Sequence, residues 1–568
     1  MKPRKYANFR IIAVLSLLLF ALATISASSA ATPLYVNGDT GDDAWDGTSP
    51  TYTSGTIGPM KTIQNAIDAV DPDGTVNVAD GTYTENVVID KNVNLVGQSQ
   101  TGTVIDGNGA GSVIYVKSGA TVNISNFTIK NGYAEYGGGI LNGGVLTVTN
   151  CNVQQNTATY GGGITNYGGT LTINNCNIQQ NNAAGTDAYG GGVTSYVGTL
   201  TIKDSNISQN HANVGGGGIY ADRSTITIIN SVFNNNVASR LYNDAYGGAM
   251  YTILGTLTIN GSTFSNNIAT YGGGILAHRT NWEVYDSIFT GNIANAHGGA
   301  IRHDYATLSI YRTTFDGNSA NYYGGGISNY MGTVNVYSST FLNNIASTGG
   351  AVLSYYGTTV VNFCRIIGNS AYDVYNEAGD HVDARYNWWG SNNPDFDDRV
   401  TGDVGVTPWL VMAYITNPIT IQQGQTSVLT ADFRYDSEGT FHDPANGHLP
   451  DGTLVKFTTN LGNVGSKYVF IGTLNGIATT ILRGDEAAGE ALTSAILDSQ
   501  SLTATVTITP ATDNGNQNEN ESPNSTVNAA TETTTERTLG MQKTGLPIAG
   551  LILAILAVFG GLVSSKRK

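Results

Sequence analysis

Through the middle of the chain, apolar residues recur at every second position in short bursts. "TLTINGSTFSNN" (Thr256 to Asn267) puts Leu257, Ile259, Ser262 and Phe264 on one side and polar residues on the other. The same register returns as Leu308, Ile310, Thr313 and Phe315, then as Val334, Val336, Ser339 and Phe341. Alternation rich in β-branched and aromatic residues predicts strands. Each burst follows a glycine run and an aliphatic anchor. The anchors are Ile140, Ile164, Val193, Ile219, Met250, Ile275, Ile301, Ile327 and Val352, spaced 24, 29, 26, 31, 25, 26, 26 and 25 residues apart. A near-constant period of this size marks a solenoid, whose units bury a core only by stacking. The consensus of a leucine-rich horseshoe is missing. The expected fold is therefore all-β: a right-handed parallel β-helix with two or three short strands per coil. About thirteen coils at ~4.8 Å each give a rod roughly 60 Å long.

The punctuation between strands supports this. Three glycines precede most anchors, as in "NYYGGGISNY" (Asn321 to Tyr330). A sharp bend needs positive φ, and stacked coils approach closely there, so glycine answers both demands. Asparagine recurs at a second turn, as Asn210, Asn236, Asn267, Asn292, Asn318, Asn344 and Asn369. It tolerates left-handed geometry, and stacked amides can bond from coil to coil. "GGAI" or "GGGI" alternating with F-x-x-N (Phe233 to Asn236, Phe264 to Asn267, Phe289 to Asn292, Phe315 to Asn318, Phe341 to Asn344) resembles the repeat of chlamydial polymorphic membrane proteins. The whole layout is similar to adhesin-like surface proteins of methanogenic archaea. That resemblance implies surface display and adhesion, not catalysis.

Residues 1–31 read as a secretory signal: Lys2, Arg4, Lys5 and Arg10 precede apolar Ile11 to Ile25 and the small residues "SASSAA". Residues 32–412 form the β-helix, with an N-terminal cap and first coils at 32–135, regular repeats at 136–370 and a C-terminal cap at 371–412. In "MKTIQNAIDAV", Ile63, Ala66, Ile67 and Val70 share one helical face and suit a plug for the open core. Trp388 and Trp389 cover the last coil, with Trp409 beside them; Trp rings also stack on sugars. Residues 413–510 leave the repeat for alternating strands at sandwich spacing, and "PDGTLVKFTTNLGNVG" resembles an invasin-type bacterial Ig-like domain, which implies a spacer. Residues 511–545 are a polar stalk too poor in apolar residues to fold. Residues 546–564 are an apolar span followed by a basic tail at 565–568, an arrangement that anchors the chain with its body outside the cell. "KTG" at Lys543 to Gly545 resembles the end of a sortase signal, which leaves cell-wall attachment as the other reading.

Composition narrows the partners. A net charge of −16 argues against nucleic acid, whose phosphates need a basic surface. Three cysteines exclude a disulfide scaffold; Cys151 and Cys176 lie one repeat apart and Cys364 occupies the equivalent position alone. No cofactor is implied apart from calcium, for which Asp39, Asp42, Asp43 and Asp46 are candidates, a solvated acidic turn being the other reading. Asn123, Asn126, Asn206, Asn260, Asn520 and Asn524 open glycosylation sequons.

Aligning the coils on their anchors brings one set of polar residues to a common strip. The third position after the anchor holds Tyr196, Asp222, Ile253, His278, Asp304, Tyr330 and Tyr355; the fourth adds Arg223, Arg279, Tyr305 and Tyr356; Arg302 and His303 stand just before Asp304. As a catalytic centre the strip is poor. Asp222 and Asp304 are three coils apart, about 14 Å, beyond the carboxylate separation of glycosidases. As a binding strip it offers ring faces and hydrogen-bond donors to a polysaccharide or to a surface protein of another cell. Three functions fit the layout: a cell-surface adhesin, a polysaccharide lyase or hydrolase on the same fold, or a passive envelope component.

Overall fold

The computed structural model describes residues 32–240 and 244–512. The candidate signal and the span at 546–564 lie outside them. Among the described residues no helix is long and apolar enough to cross a membrane.

The alternation becomes a parallel β-helix. Each regular coil runs through an anchor strand (Ile301–Asp304), an alternating strand (Thr307–Tyr311) and a phenylalanine strand (Thr314–Asp316). These stack into 13-, 15- and 12-stranded parallel sheets. A fourth, eight-stranded sheet was not foreseen: a short strand such as Ile268–Tyr271 precedes the glycines. Its inward residues are small alanines, Ala269, Ala294 and Ala320 for instance, too weak an apolar signal to read as a strand.

Register is exact along the core. Phe233, Phe264, Phe289, Phe315 and Phe341 are fully buried, with centroids 4.6 to 5.2 Å apart and nearly parallel planes. Ser262, Ser339 and the three cysteines hold one inward row; all three thiols are free and buried.

The asparagines form a buried ladder. From Asn210 to Asn344 each Nδ2 donates to the next coil's Oδ1, as Asn267 to Asn292 (2.9 Å) and Asn292 to Asn318 (2.8 Å), and the last, Asn369, turns to Asp373. Left-handed geometry falls elsewhere than expected, on the residue before each ladder asparagine: Gln209, Asn235, Asn266 and Asn343 have φ between 52° and 55°. The turn therefore splits two tasks between neighbours, one residue bending the chain and the next satisfying buried backbone.

The glycines behave as their spacing suggests. Gly298 has φ +72°, and a Cβ there would lie 2.5 Å from the carbonyl oxygen of Ile301. Gly298→Ala is expected to destabilise the chain by about 2 kcal/mol in urea titration, through positive φ and that clash together.

The N-terminal helix Ile63–Ala69 covers the first coil with Ile63, Ala66 and Ile67, while Glu85 accepts from the backbone N–H of Ile63 and Gln64 at its start. At the other end the paired tryptophans divide. Trp389 closes the rod core, whereas Trp388 packs edge-on against Phe433 in a second core. That core lies between a three-stranded sheet (Leu410–Asn417, Thr426–Asp436, Ile477–Arg483) and a five-stranded one that includes Gly489–Leu497 and Gln500–Thr509. Asp498, in the turn of that last hairpin, pairs through both oxygens with Arg365 of the rod and accepts from Trp388 Nε1 at 2.7 Å.

Candidate functional site

The ladder pairs Tyr196, Asp222, Ile253, His278, Asp304, Tyr330 and Tyr355 in consecutive coils, as the anchors dictate. The residue after each turns left-handed: Arg223, Arg279, Tyr305 and Tyr356 have φ between 50° and 61°. This corner throws Arg223 into solvent, its side chain 61% exposed and paired with Asp222 at 2.7 Å.

Alternation decides the fate of His303. Ile301 and His303 point inward while Arg302 points outward, so His303 does not belong to the surface strip. It is fully buried, with Nδ1 3.1 Å from Trp282 Nε1 and Nε2 2.8 Å from the Ala306 carbonyl. An indole N–H only donates, so Nδ1 accepts and Nε2 carries the proton. The histidine is a neutral structural bridge, and burial lowers its pKa.

What remains of the strip separates into two parts. Around Tyr196 and Asp222 the outer face is filled by aromatic rings: Tyr220, almost buried, lies 5.7 Å from Tyr196 and 4.5 Å from Tyr189. From Leu276 onward the surface opens into a cleft of about 520 Å³. Its floor is the second position of the anchor strands, Leu276, Arg302, Ser328 and Leu353. One wall is Asp304, Tyr330 and Tyr355. The other wall comes from the residue before the glycines: Tyr246, Tyr271, His297 and Tyr323, bridged coil to coil. Strip residues His278, Arg279 and Tyr305 stand beside the cleft, with Arg279 over the Tyr305 ring at 5.7 Å.

The second wall leaves only half of its signal in the sequence. The tyrosine of "YGGGI" recurs at a fixed place, but only the bend brings it opposite the strip, because the glycines fold the chain between the two rows. Asp244 and Glu377 complete the rim.

Electrostatics centre on Arg302. Its Nε donates to Asp304 Oδ1 at 2.7 Å, and its guanidinium carbon lies 4.9 Å from the Tyr330 ring centre and 5.6 Å from that of Tyr271. His278 Nδ1 sits 3.6 Å from the other oxygen of Asp304. His297 is stacked between Tyr271 (5.3 Å) and Tyr323 (4.9 Å), with its Nδ1 buried and unpartnered. Burial first, and Arg302 second, push its pKa down to about 4. As pH falls below the ordinary histidine value of about 6.5, the unfolded ring takes a proton that the folded ring refuses, so stability is lost between about pH 6.5 and 4. His297→Tyr, which matches Tyr271 and Tyr323, is expected to lessen the drop in melting temperature from pH 7 to pH 4.

Other candidate positions are dispersed. Asp43 accepts from the backbone N–H of Lys61 and Thr62 just ahead of the N-terminal helix, Asp42 and Asp46 each accept within their own turn, and the Asp39 N–H donates to Asn37 Oδ1. Among the described residues no group of three or more His, Cys, Asp or Glu side chains is placed to hold a metal ion. Of the sequon asparagines, Asn123 and Asn260 are exposed on the 15-stranded sheet, Asn126 (φ 63°) and Asn206 are half-buried, and Asn520 and Asn524 lie outside the described residues.

Comparison with known proteins agrees with the fold. The model of the right-handed beta helix region matches residues 112–289, and that of the Chlamydia polymorphic membrane protein repeat matches 286–303 and 312–330. No curated protein matches the sequence. Similar solved structures include the tailspike gp61 of Pseudomonas phage phi297 (10% identity, TM-score 0.35, 80% of this chain and 93% of that one). Another is the pectin methylesterase from Aspergillus niger (13% identity, TM-score 0.24, 55% of this chain and 87% of that one). The coils over residues 112–289 are thus similar to right-handed β-helix regions, and the two segments 286–303 and 312–330 to polymorphic membrane protein repeats.

Proposed function

We propose that the chain is a non-enzymatic surface adhesin whose rod binds glycan through the cleft on its anchor face. The observation that carries this is the open groove walled by Tyr246, Tyr271, Tyr323, Tyr330 and Tyr355. Tyrosine rings offer apolar faces to sugar rings and hydroxyls to their oxygens. The polymorphic membrane protein repeats support display at a surface. In this reading the two-sheet unit is an Ig-like spacer, the polar stalk a tether and the C-terminal apolar segment the anchor.

A polysaccharide lyase or hydrolase is the rival reading. Asp304 is engaged by Arg302, and its ladder reaches Ala378, beside Glu377, only three coils on, about 14 Å along the rod. That spacing does not suit a carboxylate pair acting on one glycosidic bond.

The test mixes the purified full-length chain with a panel of cell-surface and plant polysaccharides, following retention by pull-down and chain shortening by mass spectrometry. Retention without shortening is expected. Tyr355→Ala, which removes a ring and a hydroxyl from one wall, is expected to weaken it about tenfold, near the ~1.4 kcal/mol of one lost ring contact. Shortened chains would make the protein an enzyme. Neither effect would leave a protein partner or a passive envelope role.

A further inference from the structure

Resting on that glycan reading, we infer that the cleft takes a short stretch of uncharged glycan laid along the rod axis and rejects uronic-acid and sulfated chains. The length comes from the floor. In consecutive coils its residues are Tyr220, Tyr251, Leu276, Arg302, Ser328, Leu353 and Tyr375. Bulky tyrosines stand at both ends of the run from Leu276 to Leu353, which spans three coil spacings, about 14 Å. Both walls run along the same direction, because each is a ladder of equivalent residues from stacked coils. A ligand lying along the rod runs beside several coils of both rows, whereas one lying across it meets only about one coil of each.

The charge comes from the lining. Asp244, Asp304 and Glu377 face one guanidinium, Arg302, leaving two negative charges on the cleft. His297 adds none at neutral pH. Arg302 cannot serve an incoming carboxylate freely, since Asp304 already holds its Nε. A cationic ligand finds the equivalent place taken, because Arg302 occupies the space over the Tyr271 and Tyr330 rings. The surfaces left for a ligand are the rings and hydroxyls of Tyr246, Tyr323 and Tyr355 and the apolar Leu353. Ring faces and neutral hydroxyls suit an uncharged sugar chain.

The experiment applies the full-length chain to immobilised glycans that share a backbone and differ in charge. The pairs are methyl-esterified against de-esterified polygalacturonate, and xylan without against with glucuronate branches; mannan and glucan serve as further neutral chains. Retained glycans are expected to be uncharged, with each acidic counterpart held at least about tenfold less at low ionic strength and the gap narrowing at high salt. The double variant Asp244→Asn, Glu377→Gln should narrow the same gap at low salt. An acidic glycan held as well as its neutral partner overturns this inference and leaves glycan binding standing. A gap that the double variant leaves unchanged also overturns it, by placing the discrimination outside the cleft. No retention of any glycan overturns both.

Discussion

Asn292→Ala is expected to lower the unfolding free energy by about 5 kcal/mol, the largest effect of any single change in the rod. The side chain is fully buried and makes four hydrogen bonds. Its Oδ1 accepts from the backbone N–H and the amide of Asn267; its Nδ2 donates to the Phe264 carbonyl and to Asn318 Oδ1. Alanine removes all four and leaves the Asn267 N–H buried without a partner. Roughly 1 kcal/mol per lost bond, with a further 1 to 3 for an orphaned donor, gives that figure. Asn292→Asp keeps the acceptor, loses both donors and places a charge against two oxygens, so it should be no milder. Asn369, at the end of the ladder and only partly buried, should lose about half as much on the same substitution. Urea titration of the three variants checks the order. A loss under about 1 kcal/mol for Asn292→Ala would reduce the ladder to a passive consequence of stacking.

Asp498→Ala is expected to cost about 3 kcal/mol and to separate two unfolding events that coincide in the parent chain. Asp498 is the joint between rod and two-sheet unit. Its carboxylate binds Arg365 and Trp388, and the two charged side chains are only 19% and 9% exposed. Removing the anion strands a half-buried guanidinium and an indole N–H, the situation in which breaking a pair is worth about 3 to 5 kcal/mol. The second core also spans the joint, since Phe363 and Trp388 of the rod pack with Leu410, Phe433 and Leu497. Tryptophan fluorescence of a chain carrying Trp45→Phe and Trp282→Phe reports the joint through the three remaining tryptophans, Trp388, Trp389 and Trp409, and circular dichroism reports the sheets. In the parent chain the two probes should share one midpoint; in the variant fluorescence should change first. Coincident transitions in the variant would show that the apolar contacts alone couple the units. These polar and apolar contacts together fix the two-sheet unit against the last coil of the rod.

Read by itself, the sequence determined the coil. Alternation sets which residues face inward, because a strand has a period of two, and the anchor spacing sets which residues meet, because stacked coils pair equivalent positions. The phenylalanine stack, the serine and cysteine row and the alignment of Asp222, His278, Asp304 and Tyr330 all followed from those two rules; the helical plug followed from the helical spacing of Ile63, Ala66, Ile67 and Val70. Tertiary structure alone decided the rest. The wall of Tyr246, Tyr271, His297 and Tyr323 belongs to the preceding strand, and only the bend at the glycines brings it opposite Tyr330. His303 looks like its neighbours in a one-dimensional alignment, yet its place on the inward phase of the strand buries it. The division of Trp388 from Trp389 depends on a hairpin more than a hundred residues away, at Asp498. Local periodicity carries information about a residue's own coil; which surface lies across a bend, or arrives from a distant hairpin, is settled only when the chain closes on itself.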